Sequence, residues 1–312
     1  MKKITVAGGG VLGSQIAFQS AYCGFDVTIW LRSEQSIGRT KPKIDNLKQV
    51  YTDTVELMAT AEGQTPANWA RGIADFDTFD KDECLKKVEN AYNSIKYELD
   101  MKKAVEGADL VIESMAEDVK AKTEFYKALA PLLDDGTILV TNSSTLLPSK
   151  FAKYTGRADK YMSLHFANSI WKNNTAEVMS QSKTAQSAFD EVVKFASDIR
   201  MIPLPLHKEK SGYLLNSMLI PLLFSAMDLL VNGISDVESI DSAWKLGAGA
   251  PKGPFEILDT VGLTTAHNIV KMYLKVPPFL APYNFRGMDT LLKKYIAEGK
   301  LGKASGEGFY KY

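Results

Sequence analysis

Lys3-Ile-Thr-Val-Ala-Gly8-Gly-Gly10-Val-Leu-Gly13 is the stretch that decides how this chain folds. A β-branched run (Ile4, Thr5, Val6) stops at a glycine cluster, and a helical pattern starts at once. The spacing G-x-G-x-x-G between a strand and a helix is the dinucleotide-binding fingerprint. Gly8 is expected to make the tight turn and Gly10 to let the backbone approach a pyrophosphate. Gly13 is expected to let the helix pack close on the strand. The N–H groups at the helix start, those of Val11, Leu12 and Gly13 among them, then face the phosphates with the positive end of the helix dipole.

Apolar residues Val11, Leu12, Ile16, Ala17 and Tyr22 recur at helical spacing, and Gly24 is a plausible stop. Asp26-Val-Thr-Ile-Trp-Leu31 reads as a second strand, completing a β-α-β unit. At the end of that strand an NAD site usually carries an acid for the ribose 2′-hydroxyl. Here the sequence runs Leu31-Arg32-Ser33. A guanidinium with no acid beside it suits a 2′-phosphate. Arg32 and Ser33 therefore point to NADP in preference to NAD. A solvated Arg32, with Glu34 binding the ribose, is the other reading.

The 312 residues allow two domains and a sizeable core. Basic and acidic residues number 37 each, which gives no electrostatic case for nucleic acid or an anionic membrane as partner. Two cysteines, Cys23 and Cys84, make no disulfide framework and suit thiols in a reducing, cytoplasmic setting. The apolar run behind Lys2-Lys3 is too short for a signal peptide. The apolar stretch Tyr213 to Val231 is interrupted by Asn216, Pro221 and Asp228, so it reads as a buried helix and not a membrane span. No metal site is expected.

Strands and helices alternate through the first two-thirds. Residues 41 to 94 read as a polar helical excursion broken at Gly63–Pro66. Further strands are expected at 95–97, 108–113, 137–141, 161–166 and 201–204, with helices at 120–133 and 185–199. After residue 206 only helices and Gly/Pro turns remain. The fold class expected is α/β: a doubly wound, Rossmann-type domain over 1–206 and an all-helical domain over 207–312.

His165 ends a predicted strand on the side where doubly wound sheets hold ligands. By topology its neighbours are the polar run Thr141-Asn-Ser-Ser144-Thr and Glu177. Hydride transfer to a ketone needs a group to give or take the hydroxyl proton, and imidazole suits neutral pH. A carboxylate on the other ring nitrogen fixes the tautomer. A structural strand-end histidine is the alternative at this point.

Several stretches then resemble the 3-hydroxyacyl-CoA dehydrogenase family along nearly the whole chain. They are the glycine loop, Ala108-Asp-Leu-Val-Ile-Glu113, Asn142-Ser-Ser144-Thr, His165-Phe-Ala-Asn168, Gly249-Ala-Pro-Lys-Gly-Pro-Phe-Glu-Ile257 and the closing Lys300 to Tyr310. Within the family, Val11 to Phe18, Asn142 to Ser149 and Asn173 to Met179 most resemble bacterial diketoreductases. The resemblance implies His165 as general acid/base, Glu177 as its carboxylate partner, Ser144 on the substrate oxygen and Asn216 as an active-site amide. It also implies that Glu117, Lys122 and Asn142 border the cofactor, and it implies a homodimer formed through the helical domain.

The family's usual Phe-Phe-Asn-Pro after the histidine is Phe166-Ala-Asn168-Ser here, which opens volume beside the base. Trp171 either adds an aromatic wall there or fills the core. Lys41, Lys43 and Lys48 are the candidates for gripping CoA phosphates, if they are not simply a solvated face. The expected reaction is reversible hydride transfer between NAD(P)H and a 3-keto or 3-hydroxy small molecule, with the site between the domains. A diketone or 3-keto ester is the first substrate reading and an acyl-CoA thioester of fatty-acid metabolism the second. A non-catalytic, crystallin-like protein is a third possibility of another class.

Overall fold

The computed structural model describes residues 1–312, which divide into two compact units, Met1–Leu214 and Leu215–Tyr312. The division falls at Leu214, beyond the residue 206 expected from composition. Residues after 206 still belong to the first unit because Leu206 and Tyr213 share a small apolar cluster with Met179.

In the first unit the chain runs β1 (Lys3–Ala7), α1 (Val11–Tyr22), β2 (Asp26–Trp30), α2 (Glu34–Met58), α3 (Lys81–Ser94), β3 (Lys96–Glu98), α4 (Met101–Val105) and β4 (Leu110–Glu113). It continues with α5 (Val119–Leu129), β5 (Ile138–Thr141), β6 (Tyr161–Phe166), β7 (Thr175–Met179), α6 (Gln186–Asp198) and β8 (Ile202–Leu206). The strands form one sheet in the order 3-2-1-4-5-6-7-8. All neighbours are parallel except β6 and β7, which run antiparallel. Reversal of order at β1 and β4 makes the switch point where such sheets bind ligands. The central strands are buried on both faces, as the apolar runs Ile4–Ala7, Leu110–Ile112 and Ile138–Val140 require.

Strand β7 is absent from the sequence reading. Glu177 interrupts its apolar run, yet Ala176 to Met179 are all buried. Its pairing opposes His165 and Glu177 directly, so neighbouring strands present the two side chains on one face.

Between α2 and α3, residues 59–80 fold back on the sheet's helical layer. Gln19 Nε2 donates to the carbonyls of Gly72 and Ile199 at 2.8 and 2.9 Å, and Tyr51 Oη donates to Gln19 Oε1 at 2.5 Å. Gly72 N donates to Trp171 O at 2.9 Å, and a Cβ on Gly72 would lie 2.8 Å from the Trp171 backbone. Trp171 packs its ring on Tyr51 at 5.4 Å, so it joins this core and is not an aromatic wall beside the base. Both cysteines are free, and burial pushes the Cys23 thiol up to about 12.

The second unit holds α7 (Leu215–Val231), α8 (Val237–Ala248), α9 (Pro254–Val261), α10 (Leu263–Tyr273) and α11 (Phe285–Ala297). Two buried carboxylates organise it. Asp259 accepts from the N–H groups of Phe309 and Tyr310, and Asp241 accepts from those of Phe255 and Glu256. No helix is long and apolar enough to cross a membrane.

Candidate active site

The glycine loop has the stereochemistry that its spacing demands. Gly8 has φ of 120°, and a Cβ there would lie 2.5 Å from the Ser114 carbonyl. A Cβ on Gly13 would lie 2.1 Å from the Gly8 carbonyl, so α1 reaches β1 only because this residue lacks a side chain. Nothing crowds Gly10, which caps α1 without a side-chain hydrogen bond. That leaves room beside the start of α1, where the unpaired N–H groups of a helix N-terminus can meet a pyrophosphate.

Beside this loop lies an open cavity of about 240 Å³. Its lining includes Gly8–Gly10, Ser114, Met115 and a basic cluster of Arg32, Arg39 and Lys43 with Ser36. Arg32 lines the cavity. Ser33 does not: its hydroxyl caps α2, accepting from Ser36 N at 3.3 Å. Ser36 lines the cavity in its stead, with Arg39 Nη2 donating to Ser36 Oγ at 2.9 Å. The spacing Ser36, Arg39, Lys43 was a readable signal, because residues three and four apart share one helix face. Of the three lysines considered for CoA, only Lys43 is here; Lys48 pairs with Glu89 at 2.8 Å and Lys41 lies over Tyr97.

Just beyond β5, near the end of β6 and in the middle of β7, three side chains form a chain of contacts. His165 Nδ1 lies 2.9 Å from Glu177 Oε2, and His165 Nε2 lies 3.2 Å from Ser144 Oγ. A carboxylate only accepts, so Nδ1 carries the hydrogen and Nε2 faces the serine. Glu177 is fixed by its second oxygen, which accepts from Leu214 N at 2.8 Å. His165 and Glu177 are buried while Ser144 is half-buried, so the relay opens outward at the serine.

Sequence reasoning missed two contributors. Tyr213 lies flat on the His165 ring, with centroids 4.4 Å apart and planes 15° from parallel. Its phenol donates to the Ser143 carbonyl at 2.6 Å. Ser143 Oγ in turn donates to the Glu117 carboxylate at 2.7 Å, and Ser144 N donates to it at 2.6 Å. The carboxylate of Glu117, expected at the cofactor, therefore holds the serine turn.

Lys122 and Asn142 both make contacts inside the protein. Lys122 is fully buried, with Nζ 2.6 Å from Glu113 Oε1. Its ammonium is committed to a carboxylate that also accepts from Tyr126, Thr141 and Met115 N. Met115, whose N–H shares that carboxylate, lines the cavity beside the glycine loop. Asn142 ties strands together: its Oδ1 accepts from Phe166 N at 3.2 Å and its Nδ2 donates to Ser114 Oγ at 3.4 Å. Asn216 lies in the second unit, on the first turn of α7.

Comparison with known proteins gives one consistent answer. The family model described as 3-hydroxyacyl-CoA dehydrogenase, NAD binding domain, matches residues 3–210, and that of the C-terminal domain of the same enzymes matches 212–312. The mitochondrial hydroxyacyl-coenzyme A dehydrogenase of Homo sapiens is 33% identical over 312 residues, covering 100% of this chain and 91% of that protein. The 3-hydroxybutyryl-CoA dehydrogenase of Clostridioides difficile is 31% identical, covering 99% of each. A solved diketoreductase, described for substrate-directed dual catalysis of dicarbonyl compounds, is 45% identical. It superposes with a TM-score of 0.86, covering 100% of this chain and 99% of the other.

Proposed function

The chain belongs to the 3-hydroxyacyl-CoA dehydrogenase family, and from that premise we propose that it reduces the keto group of a small diketone or 3-keto ester. It is an oxidoreductase acting at a carbon that bears a hydroxyl or keto oxygen. The observation that carries the site assignment is the Glu177–His165–Ser144 relay, in which both ring nitrogens have partners. A bound nicotinamide supplies the hydride. Ser144 Oγ holds the substrate oxygen, and His165 Nε2 delivers the proton there. Glu177 keeps the ring oriented and stabilises its protonated form. The family resemblance also assigns an active-site amide to Asn216. Such a relay has no purpose in a non-catalytic scaffold.

Likeness to the dicarbonyl-reducing enzyme supports a substrate without CoA. The names of the human and clostridial relatives favour an acyl-CoA thioester as the second reading. Initial rates with a simple 3,5-diketo ester and with acetoacetyl-CoA decide between them. The diketo ester should give the higher kcat/KM by about tenfold or more, and a preference for the thioester establishes the second reading.

For the cofactor, the family supports NAD, and we propose NADPH as the tighter ligand because Arg32, Arg39 and Lys43 gather beside the glycine loop. A charge-assisted contact to phosphate contributes about 1.5–3 kcal/mol, or roughly ten- to over a hundredfold in affinity. Arg32→Ala should remove most of that margin and Arg32→Ala/Arg39→Ala the rest, with NADH binding nearly unchanged. Raising salt should narrow the gap, since Arg32 is exposed. Equal dissociation constants for the two cofactors in the unaltered protein would make Arg32 a plain loop residue. Free thiols and the exposed apolar residues Met218, Leu246 and Leu229 of the helical unit support a homodimer in a reducing cytoplasm.

A further inference from the structure

We infer that Tyr213 is a positioning residue for His165, acting through the face of the imidazole and through the serine turn together. The inference rests on the reading of His165 as the acid/base. Glu177 and Ser144 hold the two edges of the ring, at Nδ1 and Nε2. Two edge contacts leave the ring free to rock about the line joining them, and a flat neighbour stops that motion. Tyr213 supplies it, its ring near-parallel to the imidazole with the centroids 4.4 Å apart.

Three further observations fix Tyr213 itself. It is buried, and its Oη donates to the Ser143 carbonyl at 2.6 Å. Burial holds the phenol well above its ordinary pKa, so it stays a neutral donor. The next residue's N–H, that of Leu214, holds Glu177 Oε1. One dipeptide thus braces all three members of the relay: the ring by stacking, the carboxylate by a backbone donor and the serine through its neighbour's carbonyl.

The backbone carries the cost of this placement. Tyr213 has φ of 53°, the left-handed region that bulky residues rarely enter. Strain of this kind persists where the surroundings over-determine a conformation, commonly at a reacting centre. The electron-rich face of the phenol also favours the protonated imidazole over the neutral one. The other charged groups around the ring are Glu177 on β7 and Glu117, which reaches it through the serine turn.

Two substitutions and one synthetic replacement test the proposal, each followed by kcat for ketone reduction across pH. Tyr213→Phe keeps the stacked ring and should hold kcat within about threefold, with the alkaline limb of the profile unmoved. Tyr213→Leu removes the ring. It should lower kcat about tenfold or more and move that limb to lower pH by about half a unit. Cofactor affinity, measured by fluorescence titration, should stay the same. Pentafluorophenylalanine at 213 keeps the shape but reverses the ring's charge distribution, so it should move the limb as leucine does even if Tyr213→Leu fails to fold. The proposal is overturned by a Phe variant as impaired as the Leu variant, or by a fluorinated protein whose limb does not move. His165→Ala, run alongside, separates the two readings. If that variant stays active, the assignment of His165 fails; if it is inactive while leucine and the fluorinated ring behave as tyrosine, only the role of Tyr213 fails.

Discussion

Replacing His165 by alanine is expected to lower kcat about a hundredfold or more, with the dissociation constant of the reduced cofactor nearly unchanged. General acid/base catalysis contributes on the order of a hundred- to ten-thousandfold, and no other side chain in the relay can deliver a proton at the same point. Ser144 Oγ lies 3.2 Å from Nε2 and is a hydroxyl whose proton must be replaced from the imidazole. Cofactor affinity is spared because the glycine loop sits at the end of β1, while His165 lies near the end of β6. Stopped-flow turnover and cofactor titration on the same preparation check both halves. Near-normal turnover at neutral pH would remove His165 from the mechanism. A large loss of cofactor binding would show that the residue holds the nucleotide.

Lys122→Met should destabilise the first unit by about 3–5 kcal/mol, the range found when one member of a buried ion pair is removed. The reason lies with the partner left behind. Glu113 is fully buried, and its charge would lose the only cation in contact with it. Tyr126, Thr141 and Met115 N still donate to that carboxylate, which favours the lower end of the range. Glu113→Leu/Lys122→Met should recover much of the loss, because two apolar groups carry no desolvation penalty. Urea unfolding followed by a probe in the first unit gives the difference. A cost below about 1 kcal/mol for Lys122→Met would mean that the pair behaves like a surface bridge and does not hold the ends of β4 and α5 together.

The doubly wound pattern was legible because its strands are buried on both faces and therefore continuously apolar. Strand β6 ends where the apolar run ends, and α1 spans the residues that helical spacing marks. Strand β7 was illegible because a buried carboxylate, Glu177 opposite His165, sits in mid-strand, where an apolar residue is the rule. Ser144, His165 and Glu177 were assigned through the family's motifs, and the structure brings these three within hydrogen-bonding distance. Tyr213 and Ser143 left no trace, since stacking and backbone acceptance depend on tertiary placement alone. The burial of Lys122 left no trace in the sequence, because long charged residues are rarely fully buried. Ser33 was misread because a helix starts at that point and claims the hydroxyl as its cap.

The segment 59–80 gives the loop after His165 a second owner. Gly72 touches the Trp171 backbone directly, while Gln15, on the helix after the glycine loop, receives the Ser169 N–H at 2.8 Å. The loop that adjoins the reacting centre is therefore moulded from two distant stretches of sequence. Substitutions in contact are non-additive. A new loop after the histidine is therefore expected to be tolerated best together with a matching 59–80 segment. A mutant library confined to residues 167–174 would explore mostly incompatible combinations, whereas one that recombines both segments from the same donor would inherit their fit.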